Sequence, residues 1–457
     1  FHKWKKKDRK KLFQSLENIL NIKSGQFYVP FFSLYTYLHN KPNAFKTIDL
    51  KRKYEIREVL KITKERYYNS NMFLLANIYD SGRNIIEKKE IFCKTIPLID
   101  EIHCLNNNYN FINKTNHYLP SNYNYNTFHK INNINNKAYI DIICSFLFSN
   151  LTLKEKLPSF ALFYGQMNGM GNYNYDISEE YYDLRMDKCF MDNMGKGFDM
   201  DIYESDSGSE SESESEDYIA IIKNIPLQLL FMEKLEDTLE DLLNRENYSD
   251  NLLISCFFQI TFALTYLQKY YDFTHNDLHI NNIMYKTTEL DYLYYKLNNK
   301  YFKVPTYGKI FKIIDFGRSI FTYHNKIYMN DVFDTNGEAG GQYTYPKQVN
   351  FLKKENNEEI TIEPSKYFDL CRLAMTVLDE LPEEYIQNKH VLKFLKYLST
   401  DKDGSNFCDQ PDNFDLYINI SKNAKNSLPK TILENEIFNE YRIKKKNFPR
   451  KSFYSLN

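Results

Sequence analysis

The sequence predicts an α+β fold, with short strands concentrated before residue 232 and helices after it. Three observations carry this prediction. Apolar runs at 72–79 and 90–98 are separated by the turn signal Asp80-Ser81-Gly82, the pattern of two antiparallel strands joined by a tight connection. The stretch 251–271 is apolar nearly all round, as a helix buried on every side must be. The 457 residues are 42% hydrophobic and 26% charged, a globular balance with enough length for two or three packed units and a large core.

In chain order, residues 1–50 read as a basic extension, helical around 10–22 and aromatic after it. Residues 51–232 form the strand-rich part. Within it, 105–137 is rich in Asn and Tyr and has no period, which predicts a surface insertion. A helix follows at 138–150, then a short apolar strand at 160–164. A second insertion is expected over 166–217, ending in the acidic Ser/Glu tract 205–217. Mutual repulsion and the lack of apolar side chains favour a solvated linker there, a phosphorylated or basic-partner-binding segment being the alternative. Residues 227–232 read as a strand. From 233 to 457 the chain is mainly helical. Helices are expected at 238–244, 251–271 and 366–381, with short strands at 283–285 and 310–314 flanking a loop and helix-and-loop character towards the C-terminus.

The net charge of −1 conceals a local asymmetry. Residues 3–11 hold seven basic side chains and one acid, whereas 201–217 hold eight acids and no base. The remainder is close to neutral, which argues against sequence-specific nucleic-acid binding, since that function leaves a broad basic excess. Seven cysteines, odd in number and never paired as CxxC, argue against a disulfide framework or zinc site and point to a reducing, cytoplasmic setting. The run 252–267 is interrupted by Ser255, Gln259, Thr261 and Thr265 and is short for a bilayer, so no membrane partner is expected. No signal peptide is evident, although the chain opens with Phe1 in place of Met. The 16% aromatic content, with 39 Tyr and 34 Phe, reflects AT-rich codon usage more than chemistry.

The chemistry is concentrated in two segments. The first is Thr274-His275-Asn276-Asp277-Leu278-His279-Ile280-Asn281-Asn282. The second, thirty-three residues after Asn282, is centred on Asp315 in Ile313-Ile314-Asp315-Phe316-Gly317. An aspartate, an asparagine five positions on, and a strand ending in Asp-Phe-Gly supply what phosphoryl transfer needs. One carboxylate orients the attacking hydroxyl and accepts its proton. An amide oxygen and a second carboxylate hold a hard cation on the nucleotide phosphates.

The two segments resemble the catalytic loop and the Asp-Phe-Gly motif of the protein kinase superfamily. The resemblance extends over roughly 90–380, interrupted by the two insertions. It implies a bilobal fold, a small antiparallel-sheet lobe with one helix and a larger helical lobe, with ATP and Mg2+ between them. The reaction implied is transfer of the γ-phosphoryl group to a Ser or Thr hydroxyl of a protein substrate. On this resemblance Asp277 is the base, Asn282 and Asp315 are the magnesium ligands, and His279 takes a charge or hydrogen-bonding role at the γ-phosphate. Ile91-Phe92-Cys93-Lys94-Thr95-Ile96 resembles the third strand and makes Lys94 the phosphate clamp. Asp141, on the following helix, would be its partner where the family has Glu, a shorter side chain that needs the helix closer. Leu227 through Leu235 resembles the fifth strand and the hinge. Met232 would gate the back pocket, and the Glu233 carbonyl and Leu235 N–H would face the adenine. Tyr367-Phe368-Asp369-Leu370 resembles the start of the helix that braces the catalytic loop, which gives Asp369 and His275 structural roles.

The chain also departs from the family pattern. No GxGxxG precedes Lys94, and only Gly82 is near. Asn276 replaces the arginine that receives an activation-segment phosphate, which implies activity without such phosphorylation. Gly337-Glu338-Ala339-Gly340-Gly341-Gln342-Tyr343-Thr344-Tyr345-Pro346 stands where the family closes that segment with Ala-Pro-Glu, as a substrate-facing loop or a glycine-rich turn. Asp-Leu-His occurs in haspin-like kinases and in antibiotic or small-molecule kinases. An aminoglycoside- or choline-kinase-like activity therefore stays open, as does a pseudokinase scaffold that binds nucleotide without turnover. Composition and Asn-rich insertions resemble the divergent serine/threonine kinases of large DNA viruses, which implies host cytoplasm or virion.

Overall fold

Leu12 and Leu16, one turn apart on α1 (Lys6–Leu20), are fully buried. Their spacing gives the helix one apolar stripe while Lys7, Lys10 and Lys11 are exposed. In this computed structural model, which describes residues 6–30, 52–109, 125–204, 216–244, 248–335, 337–345, 363–411 and 413–456, α1 belongs to a compact unit. Its Ser15 Oγ accepts the Val59 N–H at 3.1 Å, and Lys11 pairs with Glu58 at 2.7 Å. The strand after it, β1 (Lys23–Gln26), joins the sheet edge. Residues 6–26 are thus part of the folded unit, where an extension was expected.

That unit comprises Phe1–Ile142 and Phe163–Lys234. Its sheet is built from β2 (Tyr54–Arg66), β3 (Asn71–Asp80), β4 (Ile85–Pro97), β5 (Phe163–Asp176), β6 (Phe198–Glu204) and β7 (Glu216–Glu233), with β1. The order is β1-β5-β7-β4-β3-β2, with β6 paired to β7, and every pairing is antiparallel. In β3 every second residue is buried, including Met72, Leu74, Ala76 and Ile78, the period-2 signature of a strand with one face on a core. In β5 the burial is continuous from Phe163 to Gly171. Gly169 lies so close to β1 that a Cβ would meet Ile22 Cγ2 at 2.3 Å and the Lys23 carbonyl at 2.9 Å, so only glycine admits the neighbour.

Two expected insertions differ from expectation where they are described. In the first, the helices α2 (Glu101–Leu105) and α3 (Tyr125–Asn132) flank the undescribed residues 110–124. In the second, 166–176 extends β5, and α5 (Tyr181–Leu184), α6 (Lys188–Asn193) and β6 follow it. β6 and β7 pair up to Glu204↔Glu216, so the Ser/Glu tract connects two paired strands, while residues 205–215 themselves lie outside the described residues. Between these regions runs α4 (Lys137–Leu153), which matches the helix expected at 138–150.

The second unit comprises Ile143–Leu162 and Leu235–Asn457. The capping-box helix α7 (Leu239–Leu243) opens it, with Thr238 and Asp241 satisfying each other's backbone N–H groups. Its central helix is α8 (Asp250–Tyr271), capped by Ser249 at one end and by left-handed Asp272 at the other. Among the described residues α8 is the helix long and apolar enough to cross a membrane, and 83% of its apolar window is buried within the molecule. Two of its buried polar side chains tie it to the strands beside it, whereas the Thr261 hydroxyl is buried without a partner among the described residues. Gln259 Oε1 accepts the Phe311 N–H at 3.0 Å, and Ser255 donates to the Pro305 carbonyl.

Between β8 (Ile283–Thr287) and β11 (Lys309–Ile313), which pair with each other, stands a hairpin where a loop was expected. It consists of β9 (Tyr292–Leu297) and β10 (Lys300–Pro305), joined by a two-residue Asn-Asn turn with Asn298 at φ 50°. The hairpin is widened to four strands by β14 (Arg442–Ile443) and β15 (Tyr454–Leu456) from the C-terminus. The hairpin β12 (Ile320–Tyr323) and β13 (Lys326–Met329) follows β11. The helices α9 (Phe368–Glu380), α10 (Lys389–Leu398), α11 (Phe414–Asn423) and α12 (Pro429–Ile432) complete the unit.

Candidate phosphoryl-transfer site

In the first unit, β4 is the third strand of the β2–β3–β4 meander, and Lys94 lies on it opposite Leu230 of β7. Lys94 Nζ donates to Asp141 Oδ2 at 2.7 Å; the two side chains are 18% and 2% exposed. Asp141 sits in the first turns of α4, where Asn136 fastens the helix start. Its Nδ2 donates to the Leu98 carbonyl, just beyond β4, and its Oδ1 accepts the Ala138 N–H. This anchorage holds the helix close enough for a side chain one methylene shorter than Glu. The β2–β3 connection contains no glycine. Ser70, at φ 51°, accepts the Thr95 hydroxyl on its carbonyl and the Asn174 N–H on its Oγ, and Tyr67 OH bonds Asp201. Gly82 falls in the β3–β4 turn, where Asp80 Oδ1 accepts its N–H.

Met232 lies on β7 opposite Phe92 and Phe163, and Glu233 opposite Ile91. Leu235 is buried and begins the second stretch of the second unit. These three stand where the chain passes from one unit to the next.

In the second unit, α8 delivers the chain through Phe273 into Thr274, which forms an isolated bridge with Ile320. The loop then turns at Asn276, φ 63°, a conformation that Asn tolerates better than most residues. Asp369, fully buried at the start of α9, accepts the N–H of His275 on Oδ2 and that of Asn276 on Oδ1, both at 2.9 Å. Burial pushes its carboxyl up, against the opposing influence of His275 and the two N–H donors. His275 Nε2 lies 2.9 Å from the Ile314 carbonyl, which ties the loop to the residue before Asp315.

Asn282 closes the loop. Its Nδ2 donates to the Asp277 carbonyl at 2.8 Å and lies 2.9 Å from His279 Nε2. Its backbone carbonyl accepts the Ile314 N–H at 3.1 Å, so the two segments meet one residue from Asp315. Asp315 is left-handed at φ 60°, and its Oδ1 accepts the Gly317 N–H at 3.3 Å. Burial holds the His279 imidazole below its ordinary value, while Asp277 and Asp315 both act in the opposite direction. The structure thereby gathers Asp277, His279, Asn282, Asp315, His275 and Asp369 in one unit and Lys94 with Asp141 in the other. Among the described residues no group of three or more His, Cys, Asp or Glu forms a ready metal cluster. One amide oxygen and one carboxylate nevertheless fit magnesium, which keeps several waters and takes its remaining ligands from substrate phosphates.

Two supports were not legible from the motifs. Phe316 is buried in an aromatic nest of Phe148, Phe160 and Phe273, with ring centroids 5.1, 6.2 and 6.3 Å away, and the His275 ring lies at 5.7 Å. The second is a buried polar chain. Asn276 Nδ2 reaches Thr274 Oγ1 and the Arg318 carbonyl, and its Oδ1 accepts the Tyr343 hydroxyl at 3.0 Å. Tyr343 OH also lies 3.2 Å from Ser421 Oγ on α11, and Gln342 Nε2 donates to that same Ser421. The segment 337–345 is thus joined both to the loop and to α11. It turns tightly at Gly337, where a Cβ would meet the Val332 carbonyl oxygen at 2.2 Å. The tenth residue of the glycine-rich motif, Pro346, lies outside the described residues. Tyrosines and polar residues are abundant in this chain, so no local signal distinguished Tyr343 or Ser421 as partners of Asn276.

Over 100 residues the chain is 33% identical to the serine/threonine-protein kinase haspin of Bos taurus. That match covers 22% of this chain and 13% of the bovine protein. No protein-family model matches the chain. The similarity supports a relationship to protein kinases over that stretch, and the viral likeness expected from composition has no counterpart in it.

Proposed function

We propose that the chain is an ATP-dependent phosphotransferase of bilobal kinase type, acting on a Ser or Thr hydroxyl of a protein. The observation that carries this reading is the convergence of Asp277, Asn282 and the Asp315 segment around one loop braced by buried Asp369. The partial similarity to a serine/threonine kinase supports it. In this reading Asp277 orients the acceptor hydroxyl and takes its proton as the oxygen attacks the γ-phosphorus and the bond to the β-phosphate oxygen breaks. Asn282 and Asp315 would hold magnesium, which when bound offsets the charge of the phosphates. Lys94, paired with Asp141, would hold the α- and β-phosphates. Met232, Glu233 and Leu235 would line the adenine site.

The experiment is a phosphorylation assay with magnesium-ATP on protein and peptide acceptors, read by mass spectrometry, for wild type and Asp277→Asn. Phosphate transfer by wild type, reduced at least a hundredfold in the variant, is expected. Transfer only to aminoglycoside- or choline-like acceptors would replace the protein substrate with a small molecule. The glycine-free β2–β3 connection favours one other reading, a nucleotide-binding scaffold. Stabilisation by magnesium-ATP with no transfer to any acceptor would establish it.

A further inference from the structure

An amide is a magnesium ligand in only one of its two orientations. Its oxygen can coordinate the cation and its NH2 cannot, yet the two ends are nearly the same size. Something must therefore set the direction of the Asn282 side chain. Its Nδ2 carries two N–H bonds. One is directed to the Asp277 carbonyl at 2.8 Å, and the other meets the His279 ring at Nε2, 2.9 Å away. With both engaged, Oδ1 is the atom left to face a cation. With Nε2 as the unprotonated ring nitrogen, turning the amide over would set Oδ1 against two acceptors at once, the Asp277 carbonyl oxygen and that nitrogen.

His279 is itself well placed for this task. It precedes the 3-10 turn Ile280–Asn282, and its carbonyl accepts the Asn282 N–H at 2.9 Å, so backbone and side chain hold the same residue from the same position. The ring is half-buried, while Ile280 and Leu278 on either side are buried, which restricts its freedom to swing away.

We propose, resting on the kinase reading above, that His279 is a positioning residue that turns the Asn282 amide oxygen towards the metal. This differs from the contact with the γ-phosphate that the sequence suggests. The role belongs to a ring nitrogen acting as acceptor, so a side chain with an acceptor at similar reach can replace it. One without any acceptor cannot.

The test uses the full chain with Mn2+ as the probe and a non-hydrolysable ATP analogue. Titration calorimetry gives the Mn2+ affinity of the nucleotide complex, and separately the nucleotide affinity without metal. His279→Ala is expected to weaken Mn2+ about tenfold, in the range found for loss of a partner behind a metal ligand. Metal-free nucleotide affinity should stay within about twofold, and His279→Gln should recover most of the loss. Unchanged Mn2+ affinity in His279→Ala overturns the proposal. So does an equal fall in metal-free nucleotide affinity, which marks a merely structural role. Should His279→Ala not fold, His279→Gln and His279→Leu, similar in size and differing in the acceptor, decide it in the same way. A wild type that binds nucleotide with no metal dependence overturns the kinase reading together with this one.

Discussion

Asp141 is 2% exposed and its partner Lys94 18%, so their ion pair stands largely out of water. Desolvation offsets much of the attraction in such a pair, but removing one partner leaves the other's buried charge less well compensated. Asp141→Leu and Lys94→Met are each expected to lower unfolding stability by about 3 kcal/mol. The double variant should lose less than the sum, because the interaction between the two side chains is lost only once. Urea unfolding of the four proteins measures this, and additive losses would show that the pair is not coupled. The proposed phosphate-clamp role has its own readout: the double variant, once folded, should lack phosphate transfer. From the sequence, Lys94 could be placed on a strand between apolar neighbours and Asp141 on a helix. What shortened the gap between them was Asn136, whose amide ties the helix start to the end of β4. An asparagine inside an Asn-rich stretch gives no outward sign of such a role.

One scale up, the segment 337–345 is held by hydrogen bonds with no added phosphate. Tyr343, 3% exposed, shares its hydroxyl between Asn276 and Ser421. Tyr343→Phe leaves the Asn276 oxygen buried without that donor, a loss of about 1–3 kcal/mol. Amide hydrogen exchange across 337–345 should quicken and phosphate transfer should fall, while circular dichroism stays the same. Wild-type turnover should survive phosphatase treatment, since the structure supplies the ordering bonds itself. Loss of turnover after dephosphorylation would refute this. The elements that frame the segment were partly legible: α8, α9 and the strands β8 and β11 all follow from apolar period and turn residues. The β9–β10 hairpin was not, although its Asn-Asn turn lies between apolar-alternating runs, because tyrosines and lysines dilute the alternation.

For the molecule as a whole, burial sorts the seven cysteines, all of them free thiols. Cys93, Cys256 and Cys371 are buried, and burial pushes each thiol far above its usual range. Cys104 is pushed up to about 12 and Cys408 to about 11. Cys189 is exposed on α6. Because the thiolate is the reactive form, iodoacetamide at neutral pH is expected to modify Cys189 first, Cys408 and Cys104 slowly, and the four buried thiols, Cys93, Cys144, Cys256 and Cys371, only on unfolding. Peptide mass spectrometry over a time course checks the order, and early labelling of Cys93 or Cys256 would contradict the core described above.

Local patterns in the chain were enough to specify β3 and β4, the buried helix α8 and the two segments bearing Asp277, Asn282 and Asp315. Each of these depends on side chains a few positions apart, and a period of 2 or 3.6 is written into the chain directly. The seat of β1 beside β5, with Lys23 opposite Met170, came only with the folded chain, as did the pairing of β6 with β7 across the acidic tract. So did the aromatic nest around Phe316 and the direction of the Asn282 amide. These unite residues far apart in the chain or turn on which of two similar atoms meets an acceptor. Periodicity marks the face a residue presents and carries nothing about the partner that will cover it.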